Sequence, residues 1–196
     1  MSSLNTPRSG SSASAPAAVP VLRNPGGGDT WTRVHETLAG ARQIAAARGA
    51  IDLLLKALGG DEVSLSKLVV SGGERWMAVV NFESDHATEW WPLAEHPTVE
   101  RALRIGVPRQ LADTDPTADP GEIEVLFAGG YRAMLLLPIE FEGVELGLLE
   151  IYSFEPRRWQ VGDIAHARAA CNQLSTLLMA PSERRAETTA AVLRQV

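Results

Sequence analysis

Two runs of apolar residues in the last third of the chain show almost no alternation of hydrophobic and polar positions. One is Met134, Leu135, Leu136, Leu137 and Ile139; the other is Leu146, Leu148, Leu149, Ile151 and Tyr152. A strand with one solvated face alternates with a period of two, so these runs predict a pair of strands covered on both faces. They extend from about Tyr131 to Phe141 and from Val144 to Phe154, and Glu142-Gly143 supplies the polar, φ-permissive turn of a hairpin. The hairpin is expected at the centre of a sheet, with helices on one side and a cover of another kind on the other.

The rest of the chain is arranged around it. From Trp31 to about Leu58 the period is helical: Val34, Leu38 and Ala41 share a face, and Ile51, Leu54, Leu55 and Leu58 repeat the stripe. Asp29 or Thr30 suits the N-cap, Gly40 and Gly49 predict two helices or one bent one, and Gly59-Gly60 ends the run. A second hairpin follows, turning at Ser71-Gly72-Gly73-Glu74, with Val63 and Leu65 on one strand and Trp76, Ala78 and Val80 on the other. Ser84 to Gly130 is less regular. Glu89-Trp90-Trp91-Pro92 interrupts the pattern, Pro97 opens a short helix ending at Gly106, and Val107 to Ala112 reads as a short strand. Glu122 to Phe127 is one more helix. Val161 to Ala180 is a strong helix whose Ile164, Ala167, Cys171, Leu174 and Leu178 lie at heptad-like spacing, widened by Val161, Ala165 and Leu177. Neighbouring strands pair as hairpins, which predicts an α+β architecture with a mainly antiparallel sheet of five to six strands.

Composition narrows the picture. The 196 residues, 45% of them apolar, fit one domain with tails, expected at residues 31–180. Residues 1–30, rich in Ser, Ala, Pro and Gly, read as a disordered arm, and 181–196 as a tail or linker to a signalling helix. A formal charge of −6 argues against a nucleic-acid groove, which needs a basic patch. No apolar run of about 18 residues predicts a membrane span, and no secretory signal is apparent at the N-terminus, so a cytoplasmic setting is expected.

Between about Ala41 and Ala180 the chain carries the segments VERALRIGVPRQLADTDPTADP and AGGYRAMLLLPIEFEGVELGLLEIYSFEPRRWQVGDI, and on these it resembles a GAF domain. In these segments Arg132, Leu136, Pro138, Gly143, Gly147, Leu149 and the Trp159-x-x-x-Asp163-Ile164 step sit where that family places its pattern residues. The resemblance implies terminal helices on one face of the sheet, with short helices and loops over a ligand pocket on the other. It also implies a sensory or regulatory role, with a small-molecule ligand, a homodimer, or both. The cofactor is unknown. Members bind cyclic nucleotides, haem, bilins or amino acids, but the motif of many cyclic-nucleotide binders is represented only by the fragment Asn81-Phe82-Glu83-Ser84. The effector is expected in cis, in a longer signalling protein, or in trans.

Candidate chemistry is sparse. The lone Cys171 lacks the partner thiols of a GAF-type methionine sulfoxide reductase and reads as a buried structural residue. His35, His86, His96 and His166 include no metal-pair spacing, although a single haem-ligating histidine near Trp90-Trp91 is an alternative. Asp113, Asp115 and Asp119 do not match a calcium loop and suit turns. No catalytic residue and no metal site is therefore expected. The ligand pocket is expected at Trp90, Trp91, His96, Tyr131, Met134 and Leu136, with the tryptophans as lid or cavity edge. Homodimerisation is expected through Val34, Leu38, Ile164, Cys171, Leu174 and Leu178. A ligand-free dimerisation scaffold is the competing reading.

Overall fold

The computed structural model describes residues 27–41, 44–81, 87–115 and 120–179. Of the disordered arm expected at residues 1–30 only 27–30 are described, and they are helical; the rest of it and the tail expected at 181–196 lie outside the described residues. The order is α1 (Gly27–Gly40), α2 (Ile44–Leu58), β1 (Glu62–Ser71), β2 (Glu74–Val80), β3 (Ala87–Pro92), a 3₁₀ turn (Leu93–Glu95), α3 (Pro97–Ile105), β4 (Arg109–Ala112), α4 (Pro120–Ala128), β5 (Ala133–Phe141), β6 (Val144–Ser153) and α5 (Val161–Met179). All neighbouring strands are antiparallel, in the order β3-β2-β1-β6-β5-β4, so the long pair β1–β6 occupies the middle.

The tight turns follow from residues that accept positive φ. At the β5–β6 turn Glu142 and Gly143 have φ of 49° and 78°, which matches the right-handed twist of the flanking strands. Helix α4 is closed just beyond its end by Gly130 (φ 77°), where Tyr131 N–H reaches back to Leu126 O at 3.0 Å and Gly130 N–H to Phe127 O at 2.9 Å. This paired closure aims the chain at once into β5 and sets the position of Tyr131.

The two faces of the sheet carry separate apolar clusters. Ala133, Leu135, Leu137 and Ile139 of β5 and Leu149 and Ile151 of β6 pack with α1, α2 and α5. Met134, Leu136 and Leu148, on the opposite side, pack with Leu93, α3 and Leu126 of α4. Alternate residues of one strand thus enter alternate cores, which is why the hairpin shows so little polar alternation in sequence.

Three expectations need correction. Helix α1 starts at Gly27, so Asp29 and Thr30 lie within its first turn and neither caps it. Glu89-Trp90-Trp91-Pro92 is no lid but an edge strand, with Trp91 opposite Met77 and Trp90 opposite Ala78. The expected dimer seam is consumed inside the chain: Val34, Leu38, Cys171, Leu174 and Leu178 are all buried, and Ile164 packs against the same core. Helix α5 buries its stripe against the sheet, α1 and α2 together, while Val161 and Ala165 at the edge of the stripe stay exposed.

Candidate functional site

The face of the sheet beneath α3 and α4 is where most of the sequence-predicted pocket residues converge. Met134 and Leu136 point into it from β5, and Trp91 and Tyr131 lie at its margins as partly buried members of the same cluster. His96 meets Trp91 edge-on, with ring centroids 4.4 Å apart. Trp90 does not join them. Successive side chains of a strand alternate, so with Trp91 on this face Trp90 belongs to the other.

A polar group that the sequence reading passed over lies in the same layer. Glu150 of β6 is opposite Ser64 of β1 on one side and Leu136 of β5 on the other. It is only 5% exposed. Ser64 and the Tyr152 hydroxyl both hydrogen-bond to its carboxylate, while burial outweighs them and pushes its pKa up to about 7. One strand step away, Ser66 is fully buried, and its hydroxyl has no hydrogen-bond partner among the described residues. A signal for this group existed. Glu150 is the lone charge in Leu148-Leu149-Glu150-Ile151, and Ser64 and Ser66 alternate with apolar neighbours on a strand bordering a doubly covered hairpin. The polar side of that strand was thus bound to be covered too.

An aromatic row flanks the acid. The Tyr131 and Tyr152 rings are tilted against each other at 4.6 Å, and Tyr131 stacks on the exposed Phe154 at 5.2 Å. The Tyr131 hydroxyl donates to Glu62. Partial burial and then the Glu62 carboxylate push the Tyr131 pKa up to about 12. Tyr152 is raised further still, by burial first and then by Glu150. Both rings therefore stay neutral donors near pH 7.

Other candidate groups have structural duties. Asp113 accepts from Arg132 Nε, and its side chain is nearly covered, as expected of a turn residue. Asp119 and His86 lie outside the described residues. His35 bonds Gln173 at 2.8 Å, and His166 stacks on Trp31 at 5.2 Å, both tying α1 to α5. Cys171 is fully buried, and that burial pushes its thiol up to about 12. Among the described residues no group of three histidines, cysteines or carboxylates is placed to hold a metal ion. No described helix is long and apolar enough to cross a membrane. Near β4 a cleft of about 70 Å³ is lined by Gln110, Leu111, Ala112, Thr114, Asp115, Arg157 and Arg158. It is well below the roughly 300 Å³ at which pockets for organic ligands begin.

Comparison with known proteins gives a consistent answer. The family model described as GAF domain matches residues 34–178. No curated protein matches the chain. Among solved structures, the chromophore-binding domain of an unusual bacteriophytochrome from R. palustris is similar at TM-score 0.62 and 13% identity. The match covers 78% of this chain and 62% of that one, so this chain spans less than two thirds of that relative. A phycoerythrobilin-bound GAF domain from a cyanobacterial phytochrome gives TM-score 0.59 at 15% identity, covering 85% of this chain and 96% of that one. The GAF domain of a phosphoenolpyruvate-protein phosphotransferase from Coxiella burnetii gives 0.59 at 17%, covering 81% and 94%. At such identities the likeness concerns the fold.

Proposed function

We propose a function from one premise: this chain belongs to the GAF domain family. It is a non-catalytic sensory or regulatory module of a cytoplasmic signalling protein, binding a small molecule on the α3–α4 face and forming a homodimer through its terminal helices. The observation that carries this reading is the polar group Ser64, Ser66, Glu150 and Tyr152 set inside an apolar layer. Burying an acid and an unpartnered hydroxyl is unfavourable for a scaffold that needs only packing. Placed under a cover of two nine-residue helices and a 3₁₀ turn, they suit recognition of a ligand. The related structures named above include bilin-binding and phosphotransferase GAF domains, which makes regulation of a linked or separate effector the natural role.

Several features support the non-catalytic part. Cys171, fully buried and with its thiol raised to about 12, is no nucleophile for a reductase cycle. His96, the haem-ligand candidate among the described residues, has its ring against Trp91. The dimer seam is reassigned to the outer side of α5, where Val161, Ala165 and Ala169 are exposed beside the half-buried Ile164.

The test is mass spectrometry of whatever the purified protein releases on denaturation, paired with tryptophan fluorescence of wild type and Trp91→Phe titrated with that compound. A released compound that rebinds saturably, with the response lost in Trp91→Phe, supports the reading. Recovery of no compound, together with a dimer that forms normally, would leave the ligand-free scaffold.

A further inference from the structure

Resting on that sensory reading, we infer that the molecule bound on the α3–α4 face is an organic nitrogen cation carried on an apolar body. Its N–H groups are received by Glu150 and Ser66; an amidine, a guanidine or a protonated aminoheterocycle has this chemistry.

Hydrogen-bonding capacity in this layer is not fully used. An ionised carboxylate can accept about four hydrogen bonds. Glu150 receives side-chain hydrogen bonds from Ser64 and Tyr152, two of the roughly four it can accept. The Ser66 hydroxyl is fully buried and unpartnered among the described residues. The register places Ser64 beside Glu150 and Ser66 beside Leu148, so all of these side chains leave the same face of the β1–β6 pair. The open acceptors are therefore neighbours.

Charge then selects among ligands. Both groups that hydrogen-bond Glu150 are neutral hydroxyls, and the surrounding residues Met134, Leu136 and Leu148 are apolar. The helical cover adds Val99, Ala102, Leu103 and Leu126, again without charge. Among the described residues no cation bears on this buried carboxylate, Arg109 on the same face standing two strands away beyond Leu136, and a cationic ligand supplies a counter-ion. An anionic ligand would meet like charge where screening is weakest, and a purely apolar one would leave Ser66 unmet. Of the described titratable groups, Tyr152 bears on Glu150 directly, Tyr131 and Glu62 bear on Tyr152, and Arg109 of β4 shares the face beyond Leu136; the tyrosines remain protonated near neutrality.

The experiment compares three probes of one planar shape on the full chain: benzamidine, the neutral benzamide and the anion benzoate. Each is titrated by calorimetry at pH 8 into wild type, Glu150→Gln and Ser66→Ala. The expected result is that benzamidine binds at least tenfold more tightly than the other two. Glu150→Gln should lose that preference, and Ser66→Ala should weaken benzamidine about threefold to tenfold. With Glu150 titrating near 7, affinity should also fall roughly tenfold per pH unit below that point. Circular dichroism checks that the variants are folded. Equal or better binding of benzamide or benzoate overturns the ligand class while leaving a ligand-binding face intact. Benzamidine binding unchanged in Glu150→Gln overturns the site. No binding of any probe, when a native compound is recovered from the purified protein, overturns the cation assignment and leaves the sensory reading standing.

Discussion

Gly147 of β6 lies so near Ser66 of β1 that a Cβ added to it would overlap the Ser66 carbonyl oxygen and fall 3.2 Å from Lys67 Cα. The obstacle is backbone in the two central strands, so no side-chain rotation relieves it. Gly147→Ala must push β1 from β6 at the position that carries Ser66. Overpacking of this kind costs about 1–3 kcal/mol, and the rigid partner puts the expected loss at the upper end. Urea denaturation measures it; unchanged stability would mean that the strands separate freely here.

Gly49 makes the opposite case. It lies inside α2, is exposed, and an added Cβ would meet nothing within 4 Å. Gly49→Ala removes backbone freedom from the unfolded chain without a clash, so it should stabilise the protein by about 0.5–1 kcal/mol. A rise in melting temperature of a few degrees is the readout.

The elements that hold the sheet together were legible because each carries a local signature. The Gly72-Gly73 and Glu142-Gly143 turns, Pro97 at the start of α3 and Gly106 at its end all lie where the residue types place them. Strand β3 was not legible. Its Trp-Trp-Pro segment is held by pairing with β2, a distant constraint, and Pro92 is tolerated at the end of an edge strand. Glu150 was hidden for a related reason. Amid leucines a single glutamate resembles a solvent-facing position, although the double cover of the hairpin already implied its burial, and the assembled α3–α4 layer shows it covered. The stripe on α5 was read correctly as apolar, but its destination was not: periodicity says that a face is buried, not against what.

That destination can be tested by placing a charge on either side of α5. Leu174 is 1% exposed in the single chain, so Leu174→Glu buries an unpaired charge and should yield an unfolded or insoluble protein. Ala169 is exposed in the single chain, and Ala169→Glu should leave the protein folded. If the outer side of α5 is the dimer seam, Ala169→Glu becomes a monomer in analytical ultracentrifugation. A folded dimer in both variants would show that α5 serves neither as core at Leu174 nor as seam at Ala169.

The pH dependence of stability isolates Glu150. Burial raises its pKa to about 7 from an ordinary 4.5, against the opposing hydrogen bonds of Tyr152 and Ser64. The sign follows from which state holds the proton. Below about 4.5 the carboxyl is protonated whether the chain is folded or not, and the group exacts no penalty. Between about 4.5 and 7 the unfolded chain ionises while the folded one keeps its proton, so stability declines as pH rises. Above 7 both states are ionised, and the loss levels off at about 3 kcal/mol. Glu150→Gln has no such titration. Its altered hydrogen bonding adds a constant offset, and the remaining groups cancel when the two proteins are compared. The stability of Glu150→Gln minus that of wild type should therefore rise by about 3 kcal/mol across this window and stay flat on either side. Urea denaturation at half-unit pH intervals measures it. Parallel profiles for the two proteins would mean that Glu150 titrates as an ordinary exposed carboxyl, and the α3–α4 face would then be open to water rather than a closed recognition layer.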